Sequence, residues 1–353
     1  MGYFVKQADL ERDKHIMVAL LEKNRTRDDT DYSKRFDWIY LNNPYGKATA
    51  WIIWDDKSNI PVGFTGAFPR PVFVNGKEYV AWNCGDFSID KKYRTLGVAV
   101  KLRKEAKLAV DNGTIPFLYA HPNKRMEVIH LRVGHKKISQ MVRFAMPLRT
   151  DRYLKEKLSS GVLATLLSWP VDTALRYRFF LKKAASTRGV FRDKVQCTPE
   201  HEQLFTKMKA QFRIIGARMC EYLQWKFADH PNFKYSQYDF YERNQLRGSL
   251  FFLQKNGVIS LIDILTDDVE SQIKPMFFSF IADVYRLRPA ASLSFILQEH
   301  NPLIPALKQI GFKRRDDATS AVIAYANPQL QPELAQLVMD GANWFMTVGD
   351  RDA

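Results

Sequence analysis

One short pattern occurs twice in this chain, and it narrows the folds open to it. Phe36-Asp37-Trp38-Ile39-Tyr40 runs into Asn43-Pro44, and Leu223-Gln224-Trp225-Lys226-Phe227 runs into His230-Pro231. The Trp-to-Pro spacing is the same in both. Farther on, Leu131-Arg132-Val133-Gly134-His135 has a counterpart in Lys308-Gln309-Ile310-Gly311-Phe312, at Trp-to-Gly distances of 96 and 86 residues. Two elements repeated in one order over comparable distances indicate two copies of one fold. The length of 353 residues suits two domains of ordinary size. The expected division is 1–150 and 199–353, joined by basic amphipathic helices over 151–198.

Hydrophobic periodicity and turn residues fill in the elements. The first half reads as a strand at 3–7, helices at 8–24 and 33–41, and strands at 51–54, 62–67, 72–74 and 79–89. Asn75-Gly76 is a hairpin turn between the last two. A helix over 97–110, a strand over 115–120, a helix over 123–133 closed by Gly134 and a strand over 136–148 complete it. The second half reads as a helix at 200–227, strands at 235–242, 249–254 and 257–265, a helix at 268–287, a strand at 292–298 and a helix at 302–310. The fold class expected is mixed α/β, with a mixed sheet in each half.

Composition excludes several classes. With 46% hydrophobic residues the chain is neither disordered nor collagen-like. Cys84, Cys197 and Cys220 are too few and too scattered for a disulfide framework or a zinc site, so they read as reduced thiols and no metal is expected. The N-terminus is too charged for a signal peptide, and no apolar run is long enough to span a bilayer; the expected location is cytoplasmic. The net charge of +15 is concentrated: residues 91–194 carry 24 Lys and Arg against 7 Asp and Glu. A field of one sign attracts phosphates, nucleic acid or anionic lipid, or is simply a solvated basic face.

The chemistry-bearing stretch is Phe87-Ser88-Ile89-Asp90-Lys91-Lys92-Tyr93-Arg94-Thr95-Leu96-Gly97-Val98-Ala99. A strand ends, a turn carries Arg94, and a helix opens on small residues. Unbonded N–H groups and the helix dipole make such a start an anion site. Gly97 and Ala99 lack the bulk that would keep a diphosphate from the backbone. No Gly-Lys-Ser/Thr follows, so it is not a Walker loop, and it is not G-x-G-x-x-G.

Arg94-x-x-Gly97-x-Ala99 after the fourth strand resembles the GNAT superfamily of acyl-CoA-dependent N-acyltransferases, whose motif is Q/R-x-x-G-x-G/A. The second part of that family's pattern follows in order: Asn123 after the fifth strand, then a helix ending in Gly134. The resemblance covers residues 3–148 and is most specific over 79–135. It implies acetyl-CoA as donor, with the pyrophosphate on backbone N–H groups near Thr95, Leu96, Gly97, Val98 and Ala99, beside Arg94. Ile89 would pair with the pantetheine amides, and strands four and five would splay to admit the thioester. An amine would then attack the thioester directly. His130 stands where the family often has an acidic Tyr, and as an imidazolium it would protonate the thiolate. Asp86 or His121 would be the base, with Tyr119 and Asn83 as weaker candidates, unless a water chain serves instead.

The second half carries no Arg-x-x-Gly-x-Gly/Ala between 257 and 300, and Asp267-Asp268 near its helix start would repel a diphosphate. It is therefore expected to be degenerate and to floor the acceptor cleft. Residues 158–185 hold Val162, Leu163, Leu166, Leu167, Trp169 and Val171 followed by Arg176, Arg178, Lys182 and Lys183. They read as a packed amphipathic helix or as an interfacial one, giving peripheral contact at the inner face of a membrane. The architecture resembles GNAT-type proteins of bacterial surface-glycan and exopolysaccharide assembly, which implies a small-molecule or glycan acceptor such as an amino sugar. The alternatives are a Fem-type aminoacyl-tRNA-dependent transferase, in which case the basic window would meet tRNA, and a non-catalytic acyl-CoA-binding module.

Overall fold

The computed structural model describes residues 2–25, 30–150 and 161–351. Strands β1 (Tyr3–Gln7), β2 (Thr49–Asp55), β3 (Ile60–Val74) and β4 (Lys77–Ile89) form an antiparallel run. Asn75 and Gly76 both have positive φ, the backbone a two-residue hairpin needs. Residues 62–67 and 72–74, expected as two strands, are one. Pro69 and Pro71 fall between the end of β2, opposite Ala67, and the start of β8 (Ile214–Gly216), opposite Val72. Among the described residues that edge has no strand neighbour there, so the missing N–H groups break no ladder.

Helix α1 (Lys14–Asn24) and α2 (Tyr32–Phe36) pack on this sheet around Met17, Phe36, Phe64 and Phe68. Asp31 caps α2 by accepting from the Lys34 N–H. The chain continues as α3 (Leu96–Asp111), β5 (Phe117–Ala120), α4 (Lys124–Arg132) and β6 (Lys136–Pro147). In the second half β9 (Ser236–Glu242), β10 (Gln245–Lys255), β11 (Val258–Thr266), the helix Val269–Leu287, β12 (Ser292–Gln298), the helix Ile304–Ile310 and β13 (Lys313–Ala326) repeat that order.

The two halves share one sheet. Its order is β1-β2-β3-β4-β5-β13-β6-β12-β11-β10-β9-β7, where β7 is Thr187–Arg192. β4 and β5 are parallel, and so are β11 and β12. Between these pairs the last strand of each half crosses over: β13 lies between β5 and β6, and β6 between β13 and β12. The repeated tryptophans meet at the same junction. Each lies in a π-helical turn, Asp37–Leu41 and Gln224–Ala228. Their rings stack at 4.6 Å. Trp38 Nε1 donates to the Trp225 carbonyl (2.9 Å), and Trp225 Nε1 returns the bond to the Trp38 carbonyl (3.2 Å).

The C-terminal segment locks the junction. Asp350 receives Arg70 Nη2 on one carboxylate oxygen (2.9 Å) and Arg218 Nη2 on the other (2.7 Å), and Arg218 Nε also donates to Asp263 (3.0 Å). All four side chains are buried. Gly216 is required here, since a Cβ would lie 2.5 Å from the Asp350 carboxylate.

Several expectations are corrected. Residues 200–227 are not one helix: Pro199–Lys209 is helical, Ile214–Gly216 is strand, and a short helix follows at Cys220–Leu223. Strands β7 and β13 were not expected. The charged start of β13, Lys313 to Asp317, hides its apolar end, and its register with β6 breaks between Arg315 and Ser320. The cysteines are not all reduced thiols: Cys197 and Cys220 form a disulfide, with Cα atoms 5.3 Å apart. It ties the chain before the helix Pro199–Lys209 to the short helix after it. Helix Gly161–Lys182 carries Pro170 and leaves Trp169 72% exposed. Residues 158–160 and the side chains of Val162, Leu163, Leu166 and Leu167 lie outside the described residues. Among the described residues no helix is long and apolar enough to cross a membrane.

Candidate active site

The site starts where β4 and β5 part. They pair only at Trp82–Leu118 and Asn83–Tyr119. Beyond Asn83, β4 runs on to Ile89 with no β5 partner, leaving an open strand edge. A bulge between Gly85 and Ser88 bends β4 at this point. Asp86 sits in it at φ +47, a left-handed conformation that Asp tolerates better than most residues.

Asp86 is not poised as a base. Its carboxylate is buried under Arg35 (2.6 Å) and Arg25 (2.8 Å) and accepts from the Tyr40 hydroxyl (3.2 Å). Burial alone would raise its pKa, but the two guanidiniums outweigh burial and hold it below the usual carboxylate range. An ionised carboxylate with three donors fixes the bulge and has little call for another proton.

After Ile89 the turn is tied down at each step. Asp90 accepts from the Lys92 N–H (3.2 Å), and Arg94 Nε donates to the Ile89 carbonyl (2.8 Å) while Nη2 reaches Asn24 Oδ1 (2.9 Å). The Thr95 N–H goes to the Tyr93 carbonyl, so it is not an open donor as expected. Thr95 caps α3 with a long bond from the Val98 N–H (3.4 Å), and the first helical bond runs from the Ala99 N–H to the Thr95 carbonyl. The N–H groups of Leu96 and Gly97 therefore point out of the helix start. A Cβ at Gly97 would meet nothing within 4 Å, and its φ is not positive. Neither packing nor backbone demands glycine there; what it leaves is room for a ligand against the backbone.

A groove of about 460 Å³ opens beside this turn. Ile89, Arg94, Thr95, Leu96, Ala99 and Asn123 all line it. Gly97 stands at its exposed rim on the same turn, whereas Val98 faces the core at 2% exposure. Asn123 also caps α4 by accepting from the Met126 N–H (3.1 Å). A larger cavity of about 1150 Å³ shares Arg25, Phe87, Asn123 and Arg125 with the groove. It extends beneath the splayed strands to Lys226, Phe233, Tyr235 and Arg351 on the second half.

The three candidate proton carriers separate. His121, at the end of β5, lines the large cavity, and neither ring nitrogen has a hydrogen-bond partner. Burial, helped by the Arg351 charge, pushes its pKa down to about 3. His130 is 2% exposed and lines neither cavity. Its Nδ1 lies 2.8 Å from Nδ1 of His135, so one ring donates to the other. Burial, then the neighbouring Arg103 charge, pushes its pKa well below the ordinary value. A buried neutral imidazole on the core face of α4 is not the imidazolium expected at this position. Tyr119 and Asn83 are also committed: both donate to the Asp350 carbonyl, at 3.1 and 3.2 Å.

No family model matches the chain, and no curated protein does. Solved structures do. A GCN5-related N-acetyltransferase from Anabaena variabilis matches over 92% of this chain and 72% of its own, at TM-score 0.66 and 12% identity. Saccharomyces cerevisiae N-myristoyltransferase with bound myristoyl-CoA and inhibitors matches over 92% and 80%, at 0.57 and 15%. A GCN5-related N-acetyltransferase from Kribbella flavida matches over 91% and 71%, at 0.58 and 9%. The chain has the GNAT fold.

Within that GNAT fold the second half closes its own helix start. Asp268 accepts from the N–H groups of Glu270 (2.9 Å) and Ser271 (3.1 Å) at the head of Val269–Leu287, and Asp267 is paired with Arg247 (2.6 Å). Of the two donors left open in α3, the counterpart of Leu96, the Val269 N–H, goes to Gln211 Oε1 (2.9 Å), and that of Gly97, the Glu270 N–H, to Asp268. Sequence reading missed Arg25, Lys226 and Arg351. Lys226 directly follows the repeated Trp225, which is the one signal that could have placed it near the junction. Arg351 has no local signal, because long-range contacts of Asp350 and of Arg351 itself with Lys226 and Ser320 bring it there.

Proposed function

We propose that this chain is an acyl-CoA-dependent N-acyltransferase that moves an acetyl or other acyl group to an amine by direct attack on the thioester. The observation that carries the reading is the open first turn of α3, with Gly97 in open space, at the rim of a groove beside the open edge of β4. The donor's diphosphate would rest on the Leu96 and Gly97 N–H groups, and its pantetheine amides would run along β4 near Ile89 as a partial extra strand. The acyl end would then reach the large cavity where the strands part.

In that cavity an amine nitrogen attacks the thioester carbonyl carbon. The C–N bond forms, the carbonyl becomes an oxyanion, and the C–S bond breaks as it collapses. One proton from the nitrogen goes to the departing sulfur, giving an amide and the free thiol. The cations Lys124 and Arg125 on the cavity wall lower the pKa of a bound ammonium and so favour the reactive neutral amine. The same field favours the thiolate, which removes the need for an acid at His130. His121, neutral and lining the cavity, is the side chain best placed to accept a hydrogen bond from the amine, directly or through water.

An amino sugar or glycan precursor is the acceptor class proposed, with the second half as its wall and floor, and the arrangement is read as two GNAT-like domains in tandem. The open helix start favours this over a Fem-type tRNA-dependent reaction. The test is release of free thiol from acetyl-CoA in the presence of a panel of amines, amino sugars included. Amine-dependent release with matching amide product supports the reading; acetyl-CoA left intact across the panel, beside tRNA-dependent transfer, contradicts it.

A further inference from the structure

Helix Gly161–Lys182 has one face seated on the second half and one face left bare. Phe179 is buried, its ring 6.1 Å from Phe278 and 6.3 Å from Tyr285 of Val269–Leu287. Asp172, on the same side, accepts from the Thr150 N–H (2.7 Å) and hydroxyl (2.8 Å). Just past the helix, Lys183 pairs with Asp283 (2.8 Å). These contacts fix the rotation of the helix about its axis. Trp169, Thr173, Tyr177 and Leu181 recur every fourth residue and face away from the protein. Trp169 is 72% exposed, Tyr177 63% and Leu181 68%. Of the 13 exposed large hydrophobics among the described residues, five lie on this helix, so this is a patch and not scatter. The helical period puts Arg176 on one side of the stripe and Arg178 and Lys182 on the other. All three are exposed, and none is in an ion pair among the described residues. Arg178 Nη2 reaches a neutral acceptor, the Ile310 carbonyl (3.4 Å). Asp172 is the one acid in the helix, and it faces inward.

We propose that this face docks the protein on an anionic lipid bilayer. The helix lies along the surface, with Trp169, Tyr177 and Leu181 where head groups meet acyl chains and the three cations among the lipid phosphates. The inference goes beyond the acyltransferase reading and does not depend on it.

An anionic bilayer is a flat surface with apolar depth beneath a layer of negative charge. The bare face matches it in both respects: apolar along the middle, cationic on both sides, and free of acids. Trp and Tyr suit that boundary because each has an apolar body and a polar tip. Arg and Lys suit it because their stems lie on apolar neighbours while the charged ends stay wet. Arg176 lies over the Phe180 ring (5.7 Å) and Lys182 over the Phe278 ring (5.0 Å). A protein groove would need acids along both edges of an apolar floor, and protein interfaces are ordinarily poor in lysine. The wider segment adds to the attraction, since residues 91–194 carry 24 Lys and Arg against 7 Asp and Glu.

The test is flotation of the full chain with vesicles of phosphatidylcholine, with and without phosphatidylglycerol, at low and high salt. Binding to the phosphatidylglycerol vesicles is expected to be at least about 10-fold tighter and to weaken as salt is raised. Changing Arg176, Arg178 and Lys182 together to Gln should weaken it by about 100-fold, at roughly fivefold per charge. Leu181→Ser should weaken it by about 10-fold at either salt, because lost insertion is not screened. Lipids brominated on their acyl chains should quench Trp fluorescence in the parent chain and far less in Trp169→Phe, which locates the contact. All these side chains are exposed, so each variant should melt as the parent does. No binding to either vesicle overturns the proposal, as does binding that all these variants leave unchanged. A concentration-dependent dimer that Leu181→Ser dissolves, without vesicle binding, would give the face to a second copy of the chain and overturn it equally.

Discussion

The two halves lay the same strand-turn-helix unit on the same sheet, and a few side chains at the turn set them apart. In the first half β4 leads through Arg94 and Gly97 into α3, whose first N–H groups face an open groove. In the second, β11 leads through Asp267 and Asp268 into Val269–Leu287, whose first N–H groups are taken by Gln211 and Asp268. Any helix start has spare donors, and the chain either caps them or leaves them for a ligand. A half that caps its own can act as wall and floor, and its Lys226 and its Phe233–Tyr235 pair do line the shared cavity. The comparison teaches that two similar strand-turn-helix units differ in how many of their first-turn donors the chain's own side chains occupy, while the sheet, the π turns and the stacked tryptophans stay alike.

The largest effect that tests this contrast is acid unfolding. His121, His130 and His135 of the first half are held neutral by burial, as is His230 of the second. A lowered pKa means the unfolded chain binds more protons once pH falls below the ordinary value of 6.5. Stability is therefore full above that value and is lost as pH falls toward the lowered folded values, about 3 for His121, His135 and His230, by up to about 1.4 kcal/mol per pH unit for each group. Urea unfolding from pH 7 down to pH 5 should show the loss. A flat profile would show that these rings titrate normally.

Next in size is the junction itself. Asp350→Ala leaves Arg70 and Arg218 buried without the carboxylate they share, at a cost of about 3–5 kcal/mol. Denaturant melts read by Trp fluorescence should report both halves falling together, since Trp38 and Trp225 sit at the seam; separate transitions would show that the halves are not coupled there. Removing the cap of the second half is smaller: Asp268→Ala should cost about 1 kcal/mol with acetyl-CoA affinity unchanged. Smallest of all, His130→Phe should leave turnover per folded molecule within about twofold, because the ring lines neither cavity. A large drop in rate with normal donor binding would return it to the mechanism.

The first half's turn was legible because its logic is local. Arg94, Gly97, Ala99 and Asn123 are read from neighbours a few residues away, and all but Gly97, which stands at the rim, line one groove. The repeated tryptophans pair the two halves in the sequence, though nothing near either says that they stack on each other. What stayed hidden depends on distant partners. β13 enters between β5 and β6 through pairings that span most of the chain, behind a charged stretch that looks like loop. The Cys197–Cys220 bond needs three dimensions to see. Asp86 and His130 were read as proton carriers from their positions alone, and the burial and neighbouring charges that decide their states come from Arg25, Arg35, Arg103 and His135.

The most direct measurement is calorimetric titration of acetyl-CoA into the protein and into its Gly97→Glu variant. The substitution puts bulk and negative charge where the proposed donor's diphosphate would meet the first turn of α3, in space that is otherwise empty, so the fold should be untouched. The account predicts micromolar binding to the parent chain and a loss of about 100-fold or more, roughly 2.7 kcal/mol, in the variant. Equal affinity in the two would contradict it and take the donor away from this turn.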